Sequence, residues 1–161
     1  MQISIRRGVA ADVGRAADLW LRARAGAAAS IPRSVHSPAD VRAWFTGHVE
    51  GDAELWVAED EGDGQRLVGI LVLDDDWLDQ LYVEPAVTGR GIGLALLDVA
   101  KHERPHGLWL WTFVSNEGAQ RFYERHGFAE VERTDGRANE ERAPDVLYAW
   151  SGVVGEDSGL G

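Results

Sequence analysis

The spacing of apolar residues changes several times along the chain, and each change marks an element. Ile3 and Ile5 alternate with Gln2, Ser4 and Arg6, the period of a half-buried edge strand over residues 2–7. Val13, Ala16, Ala17 and Trp20 then recur at i, i+3, i+4 and i+7, which predicts a helix that Asp12 can cap. Ile31-Pro32 interrupts the pattern. Ser37-Pro38-Ala39-Asp40 supplies an N-cap, a proline at the first helical position and an acid in the first turn of a second helix, whose Val41, Trp44, Phe45 and His48 share one face. From Ala53 the period returns to two. Leu55 and Val57 alternate with Glu54 and Trp56, Asp60 to Gln65 reads as a polar turn, and Leu67–Leu73 and Trp77–Val83 complete three consecutive antiparallel strands.

Beyond Glu84-Pro85, three glycines at alternate positions (Gly89, Gly91, Gly93) lead into a helical stripe of Ile92, Leu96, Leu97 and Ala100. That helix ends near Arg104-Pro105, because the residue before a proline is pushed out of helical space. Leu108 to Val114, LWLWTFV, is a continuous apolar run and predicts a strand covered on both faces. Strand, helix and strand in that order predict a right-handed crossover with one parallel pair. Ser115 or Asn116 caps a last helix that turns Ala119, Phe122 and Tyr123 inward and ends at Gly127. Ala129–Arg133 and Val146–Trp150 form a closing pair of strands around a polar loop, Thr134–Pro144.

The expected class is therefore α+β: a mixed, mostly antiparallel central sheet of six or seven strands with one parallel βαβ crossover and about four flanking helices. Residues 1–150 are expected to form a single domain, and residues 151–161, glycine-rich and without periodicity, a flexible C-terminal tail.

Composition narrows the chemistry. The 161 residues include no cysteine, which rules out a disulfide framework, a thiolate nucleophile and a cysteine-based zinc site. His36 and His48 have no second ligand at a suitable spacing, so no metal is expected. A net charge of −11, from 16 basic and 27 acidic residues, argues against nucleic acid as a partner. Arg6, Arg7, Asp12, Arg15 and Asp18 break any signal-peptide core, and no apolar run approaches the ~20 residues of a membrane span. The chain reads as soluble and cytoplasmic, with no membrane partner, as a monomer or a homodimer.

Chemistry concentrates between Thr88 and Leu94. Main-chain N–H groups at a helix start lack intrahelical partners, the helix dipole adds positive potential, and glycines let an anion approach closely, with Arg90 as a charged donor nearby. A plain glycine turn feeding a core helix is the alternative. A Walker loop requires Gly-Lys-Ser/Thr where Gly93-Leu94-Ala95 stands, and a dinucleotide fingerprint from Gly91 requires a glycine where Leu96 stands.

The loop TGRGIG, Thr88–Gly93, following LYVEP, Leu81–Pro85, instead resembles the pyrophosphate loop of the GNAT superfamily of acyl-CoA N-acyltransferases, Gln/Arg-x-x-Gly-x-Gly/Ala after a strand of the Leu-Tyr-Val-x-Pro type. Thr88 departs from the family's Gln or Arg, which leaves the main-chain contribution. A second stretch, SNEGAQRFYERHGF, resembles the family's Asn-x-x-Ala-x-x-Phe-Tyr-x-x-x-Gly-Phe at Asn116, Ala119, Phe122, Tyr123, Gly127 and Phe128. The family's order of elements matches the expected one over roughly residues 2–150.

The resemblance implies an N-acetyltransferase that uses acetyl-CoA as co-substrate and a primary amine of a small molecule or protein as acceptor, by direct attack. It implies that Gly89, Arg90, Gly91, Ile92, Gly93 and Leu94 hold the pyrophosphate, with Thr88 at the loop's start. Leu81, Tyr82 and Val83 would offer main-chain groups to the pantetheine arm, an N–H near Tyr82 or Val83 acting as an oxyanion donor. Asn116, Ala119, Phe122 and Tyr123 complete the cofactor site, Asn116 serving equally as an N-cap. Tyr123 is the candidate general acid, with a core aromatic as the competing reading, and Glu84 and Asp79 are the candidate bases. Trp20, Trp44, Trp77 and Trp111, with the Ile31–His36 loop, are candidates for the acceptor pocket. A noncatalytic acyl-CoA-binding module is the alternative function; a nucleotide-binding domain needs a longer alternating βα series.

Overall fold

The computed structural model describes residues 1–153; the rest of the expected tail lies outside the described residues. In chain order the elements are β1 (Ile3–Arg7), α1 (Val13–Gly26), α2 (Pro38–Glu50), β2 (Glu54–Asp60), β3 (Arg66–Asp74), β4 (Trp77–Val83), α3 (Ile92–Glu103), β5 (Leu108–Phe113), α4 (Glu117–Arg125), β6 (Ala129–Thr134) and β7 (Asp145–Trp150). The seven strands form one sheet in the order β1-β2-β3-β4-β5-β7-β6, in which β4 and β5 pair in parallel and every other pair is antiparallel. The expected class and crossover are present.

Local chemistry accounts for most boundaries. Ser37 caps α2 through Asp40 N–H at 3.1 Å, with Pro38 in the first turn, and Asn116 rather than Ser115 caps α4 through Ala119 N–H at 3.2 Å. Gly127 stops α4 at φ +94°, and Phe128 N–H returns to Tyr123 O at 3.0 Å. Asp12 departs from expectation: its carboxylate makes no cap bond to α1. It accepts instead from Val9 N–H at 2.8 Å and from both Arg6 and Arg15. Two nearby guanidiniums outcompete a helix amide for a buried carboxylate, and they hold its pKa well below the usual range.

Two cores sandwich the sheet. On one face α3 and α4 bury Ile92, Leu96, Leu97 and Tyr123 against Leu71, Leu73, Leu110 and Tyr148. On the other, α1 and α2 bury Leu19 and Phe45 against Leu55, Val57, Ile70 and Val72. Each such side chain contributes roughly 1.5–3 kcal/mol. α3 lies close to the sheet because β3 carries Gly69, where a Cβ would sit 2.8 Å from the Leu96 side chain.

β5 corrects the reading of LWLWTFV as a strand covered on both faces. Leu108 and Leu110 are buried, but Trp109 and Trp111 are 40% and 44% exposed. α1 and α2 pack mainly on β2, β3 and β4, so the large side chains that β5 presents on that face stay partly open to water. Val153 N–H bonds Pro105 O at 2.9 Å, which ties the chain after β7 to the end of α3. No helix among the described residues is long and apolar enough to cross a membrane.

Candidate active site

The site begins with a break in β4. Leu73 pairs with Leu78 and Val72 pairs with Gln80, which leaves Asp79 as one extra residue in the strand. A bulge of this kind bends its strand and weakens the adjoining ladder. β4 and β5 accordingly pair only at Trp77 and Trp109 and then diverge. Since Glu84 N–H bonds Val68 O on β3 at 2.8 Å, alternation along the strand sends the main-chain groups of Tyr82 to β3 as well. The amides of Leu81 and Val83 therefore face the gap, so of the two N–H groups considered as oxyanion donors Val83, not Tyr82, is turned toward it.

The gap is a slot of about 90 Å³ lined by residues of three elements, among them Asp79, Gln80, Leu81 and Tyr82 from β4, Trp111 and Thr112 from β5, and Asn116, Ala119 and Tyr123 from α4. Next to it, a second cavity of about 440 Å³ is lined by Val83, Thr88, Gly89, Gly91, Ile92, Gly93, Leu94 and Phe122. The two have no lining residue in common but are lined by consecutive residues, Tyr82 and Val83 on β4 and Phe122 and Tyr123 on α4.

The larger cavity has the chemistry of an anion cradle. The first intrahelical bond of α3 runs from Ala95 N–H to Gly91 O at 3.0 Å, so the amides of Ile92, Gly93 and Leu94 have no helical acceptor. Gly89 and Gly91 take φ +79° and +84°, and a Cβ at either would meet no protein atom within 4 Å. Their need for glycine is conformational, and the space above them is open. Arg90 does not line this cavity; Arg125 and His126, at the end of α4, do. Sequence spacing could not reveal them, because α4 reaches the loop only through the fold. The geometry can accommodate a diphosphate at the start of α3, beside Val83 and Phe122.

Tyr123 is buried at the slot wall, edge-on to Phe122 and Phe128 with ring centroids 5.2 and 5.4 Å apart. Burial raises its pKa, so the phenol stays protonated at any working pH. Asp79 stands at the slot mouth, open to water on one side but flanked by protein on the others; that partial desolvation raises its pKa. Glu84 does not join them. Its carboxylate is buried and takes two bonds from Arg22 at 2.7 and 3.0 Å, which makes it a strut between β4 and α1 rather than an open base.

Above the slot, Trp20 Nε1–H donates to Gln80 Oε1 at 3.0 Å, and Arg24 stacks on Trp20 while donating to Tyr82 Oη at 3.3 Å. Nothing in the sequence distinguishes Gln80 and Arg24 from other polar residues; the fold brings them together. Trp20, Trp44 and His36 line a cavity here, and Trp111 lines its neighbour. Trp77 lines neither, standing 38% exposed against Trp109 with ring centroids 6.3 Å apart.

Residues 51–130 match the family described as acetyltransferase (GNAT) domain. The chain is 30% identical over 100 residues to the peptidyl-lysine N-acetyltransferase YiaC of Escherichia coli, an overlap of 62% of this chain and 64% of that protein. The chain thus spans just under two thirds of the length of this curated relative. Its fold is similar to the solution structure of apo YjaB from Escherichia coli, with a TM-score of 0.74 at 26% identity over 95% of this chain and 100% of that one. It also resembles PaiA N-acetyltransferase from Thermoplasma acidophilum in complex with coenzyme A, with a TM-score of 0.67 at 18% identity over 94% and 99% of the two chains. Sequence motifs, sheet topology and these likenesses agree, and the chain belongs to the GNAT superfamily.

Proposed function

We propose that the protein is an N-acetyltransferase that moves an acetyl group from acetyl-CoA to a primary amine by direct attack. One observation supports the reading: an anion cradle at the start of α3 and a narrow slot walled by a buried neutral phenol are lined by consecutive residues of β4 and of α4. An acyl-CoA has the matching shape, a diphosphate joined by a flexible arm to a thioester.

The thioester supplies an acyl carbon that is already activated and a sulfur able to leave. The protein supplies position and charge. Amides of Ile92, Gly93 and Leu94 hold the diphosphate, Arg125 adds a cation beside it, and the Val83 N–H meets the carbonyl oxygen as negative charge develops there. A primary ammonium of pKa ~10.4 is only about 0.04% neutral at pH 7, so freeing the nucleophile costs roughly 4.6 kcal/mol. Asp79 takes that proton, directly or through water, and its raised pKa makes it a stronger base than an ordinary carboxylate. The C–N bond forms and the C–S bond breaks, Tyr123 gives its hydroxyl proton to the departing sulfur, the amide nitrogen gives its second proton to solvent, and the proton on Asp79 returns through water to the Tyr123 oxygen. The products are an acetamide, free coenzyme A and one proton.

Calorimetric titration with acetyl-CoA, coenzyme A and NAD tests the binding half, and thiol release over a panel of amines tests the chemistry. Coenzyme A binding and amine-dependent thiol release are expected. Binding of NAD but not coenzyme A would overturn the proposal, and coenzyme A binding without thiol release on any amine would leave a binding module.

A further inference from the structure

Past Trp77, the ladder pairs β4 with β3 alone among the described residues: Gln80 to Val83 lie opposite Val72 to Gly69, with nothing paired on the β5 side. Side chains from α1 supply further ties. Trp20 Nε1–H donates to Gln80 Oε1 at 3.0 Å, Arg24 donates to Tyr82 Oη at 3.3 Å, and Arg22 gives Glu84 Oε2 two bonds at 3.0 and 2.7 Å. Alternate residues of a strand share a face, so three successive positions on one face of β4 and its extension are each tied to the same helix.

Glu84 is the joint between that strand and the glycine loop. It follows Val83, whose N–H faces the gap, and precedes Pro85–Val87, a single 3-10 turn that leads to Thr88. Its N–H donates to Val68 O at 2.8 Å and its carbonyl accepts from Val87 N–H at 3.0 Å, so the main chain serves sheet and turn while the carboxylate serves α1. That carboxylate is buried, and Arg66 stands 3.9 Å from its second oxygen. Drawing it away from its cations would leave a buried charge uncompensated, which fixes its place. Pro85 is seated by the same helix: a Cβ on Gly26, the last residue of α1, would lie 3.1 Å from the Pro85 side chain. Neither Arg22 nor Glu84 lines the cradle or the slot; half-exposed Arg22 lines a separate cavity with Arg15 and Arg66.

We infer that Arg22 and Glu84 are positioning residues for coenzyme A: the pair fixes the joint between the Val83 amide and the glycine loop, and so sets the spacing between the site for the pantetheine arm and the site for the diphosphate. The inference rests on the acetyl-transfer reading above and adds two residues that act through others. The cradle has its own anchor, because α3 is packed into the core by Ile92, Leu96 and Leu97. β4 likewise keeps its β3 ladder without the ion pair. What the pair controls is how the end of β4 sits relative to the start of α3, which matters only to a ligand that spans both. Such a ligand bound to a loosened joint must restore it at the expense of its own binding free energy.

Two ligands separate positioning from simple loss of stability: coenzyme A, and adenosine 3′-phosphate 5′-diphosphate, which is coenzyme A without its pantetheine arm. Both are titrated calorimetrically into the wild type, Glu84→Gln, Arg22→Gln, the double variant and Arg22→Lys, well below each melting temperature. Either Gln variant should weaken coenzyme A by about tenfold and leave the truncated ligand within about twofold of its wild-type Kd. The double variant should be no weaker than the singles, because one interaction is lost in all three, and Arg22→Lys, which keeps the charge, should recover most of the affinity. Arg42→Gln cuts the 3.1 Å tie from α2 to Asp18 on α1 and should change neither affinity. If Glu84→Gln does not fold, Arg22→Gln carries the same comparison. Unchanged coenzyme A affinity in the folded Gln variants, an equal loss for both ligands, additive losses in the double variant, or a wild type that binds the two ligands equally well overturns the inference. A wild type that does not bind coenzyme A overturns the acetyl-transfer reading instead.

Discussion

Gly91→Ala separates folding from binding in the glycine loop. Gly91 is the N-cap of α3 at φ +84°, and a Cβ there meets no protein atom within 4 Å. The cost to the empty protein is therefore conformational, about 1–2 kcal/mol for an L-residue in the left-handed region. For a domain of this size 1 kcal/mol moves Tm by roughly 2–4 °C, so a fall of about 2–8 °C is expected. Gly64, in the β2–β3 turn at φ +60° and equally uncrowded, is the matched control. Both alanine variants should lose similar stability in a thermal melt. Gly91→Ala alone should also weaken coenzyme A binding in calorimetry, by about tenfold or more, because the methyl enters the cradle and any relaxation of φ turns the amides of Ile92 and Gly93 away. Equal coenzyme A affinity in the two variants would refute the claim that this main chain grips the cofactor.

Four further outcomes follow from the same geometry. Tyr123→Phe should slow turnover by about 10²-fold with little change in coenzyme A affinity, and full wild-type kcat in that variant would remove the hydroxyl from the chemistry. Asp79→Asn should lower kcat/KM for the amine and abolish the acid limb of the pH–rate profile, which in the wild-type enzyme rises through a pKa above the ordinary aspartate value; an unchanged profile would clear Asp79 of the base role. Asp12, with its carboxylate pKa depressed by Arg6 and Arg15, contributes stability that is complete above the unfolded value of ~3.9 and fades as pH falls through the folded pKa. Since both arginines are partly exposed, Asp12→Asn should cost about 2 kcal/mol near neutrality, and the gap in Tm between variant and wild type should narrow below about pH 4. His36 should titrate by NMR above the usual histidine value because Glu140 stabilises its charged form, and Glu140→Gln should bring it back down.

How much of this was legible beforehand depended on whether the determining physics was local. Ser37 with Pro38, the glycines before Ile92 and Gly127 before Phe128 act within one turn of chain, and the elements they bound stand where spacing put them. Residues whose neighbours come from elsewhere in the chain were harder to place. LWLWTFV reads as a fully covered strand because nothing in it states that α1 and α2 pack mainly on β2, β3 and β4. Glu84 looks like a free carboxylate at a strand end until α1 brings Arg22 against it across the fold. Asp79 carried no sign of being the extra residue that parts β4 from β5; the bulge emerges only from the register with Val72 and Leu73. Arg125 and His126 lie on a recognisable helix, but their place beside the glycine loop is a product of how α4 packs.

The central claim is that amides between Gly89 and Leu94 hold the cofactor's diphosphate and so aim its thioester between β4 and β5. A crystal structure of the protein with acetyl-CoA tests it most directly. The account predicts diphosphate oxygens within hydrogen-bonding distance of those amides, the pantetheine arm alongside Leu81 and Val83, and the sulfur next to the Tyr123 hydroxyl. A nucleotide bound at another face, or a thioester lying outside the slot, would contradict it.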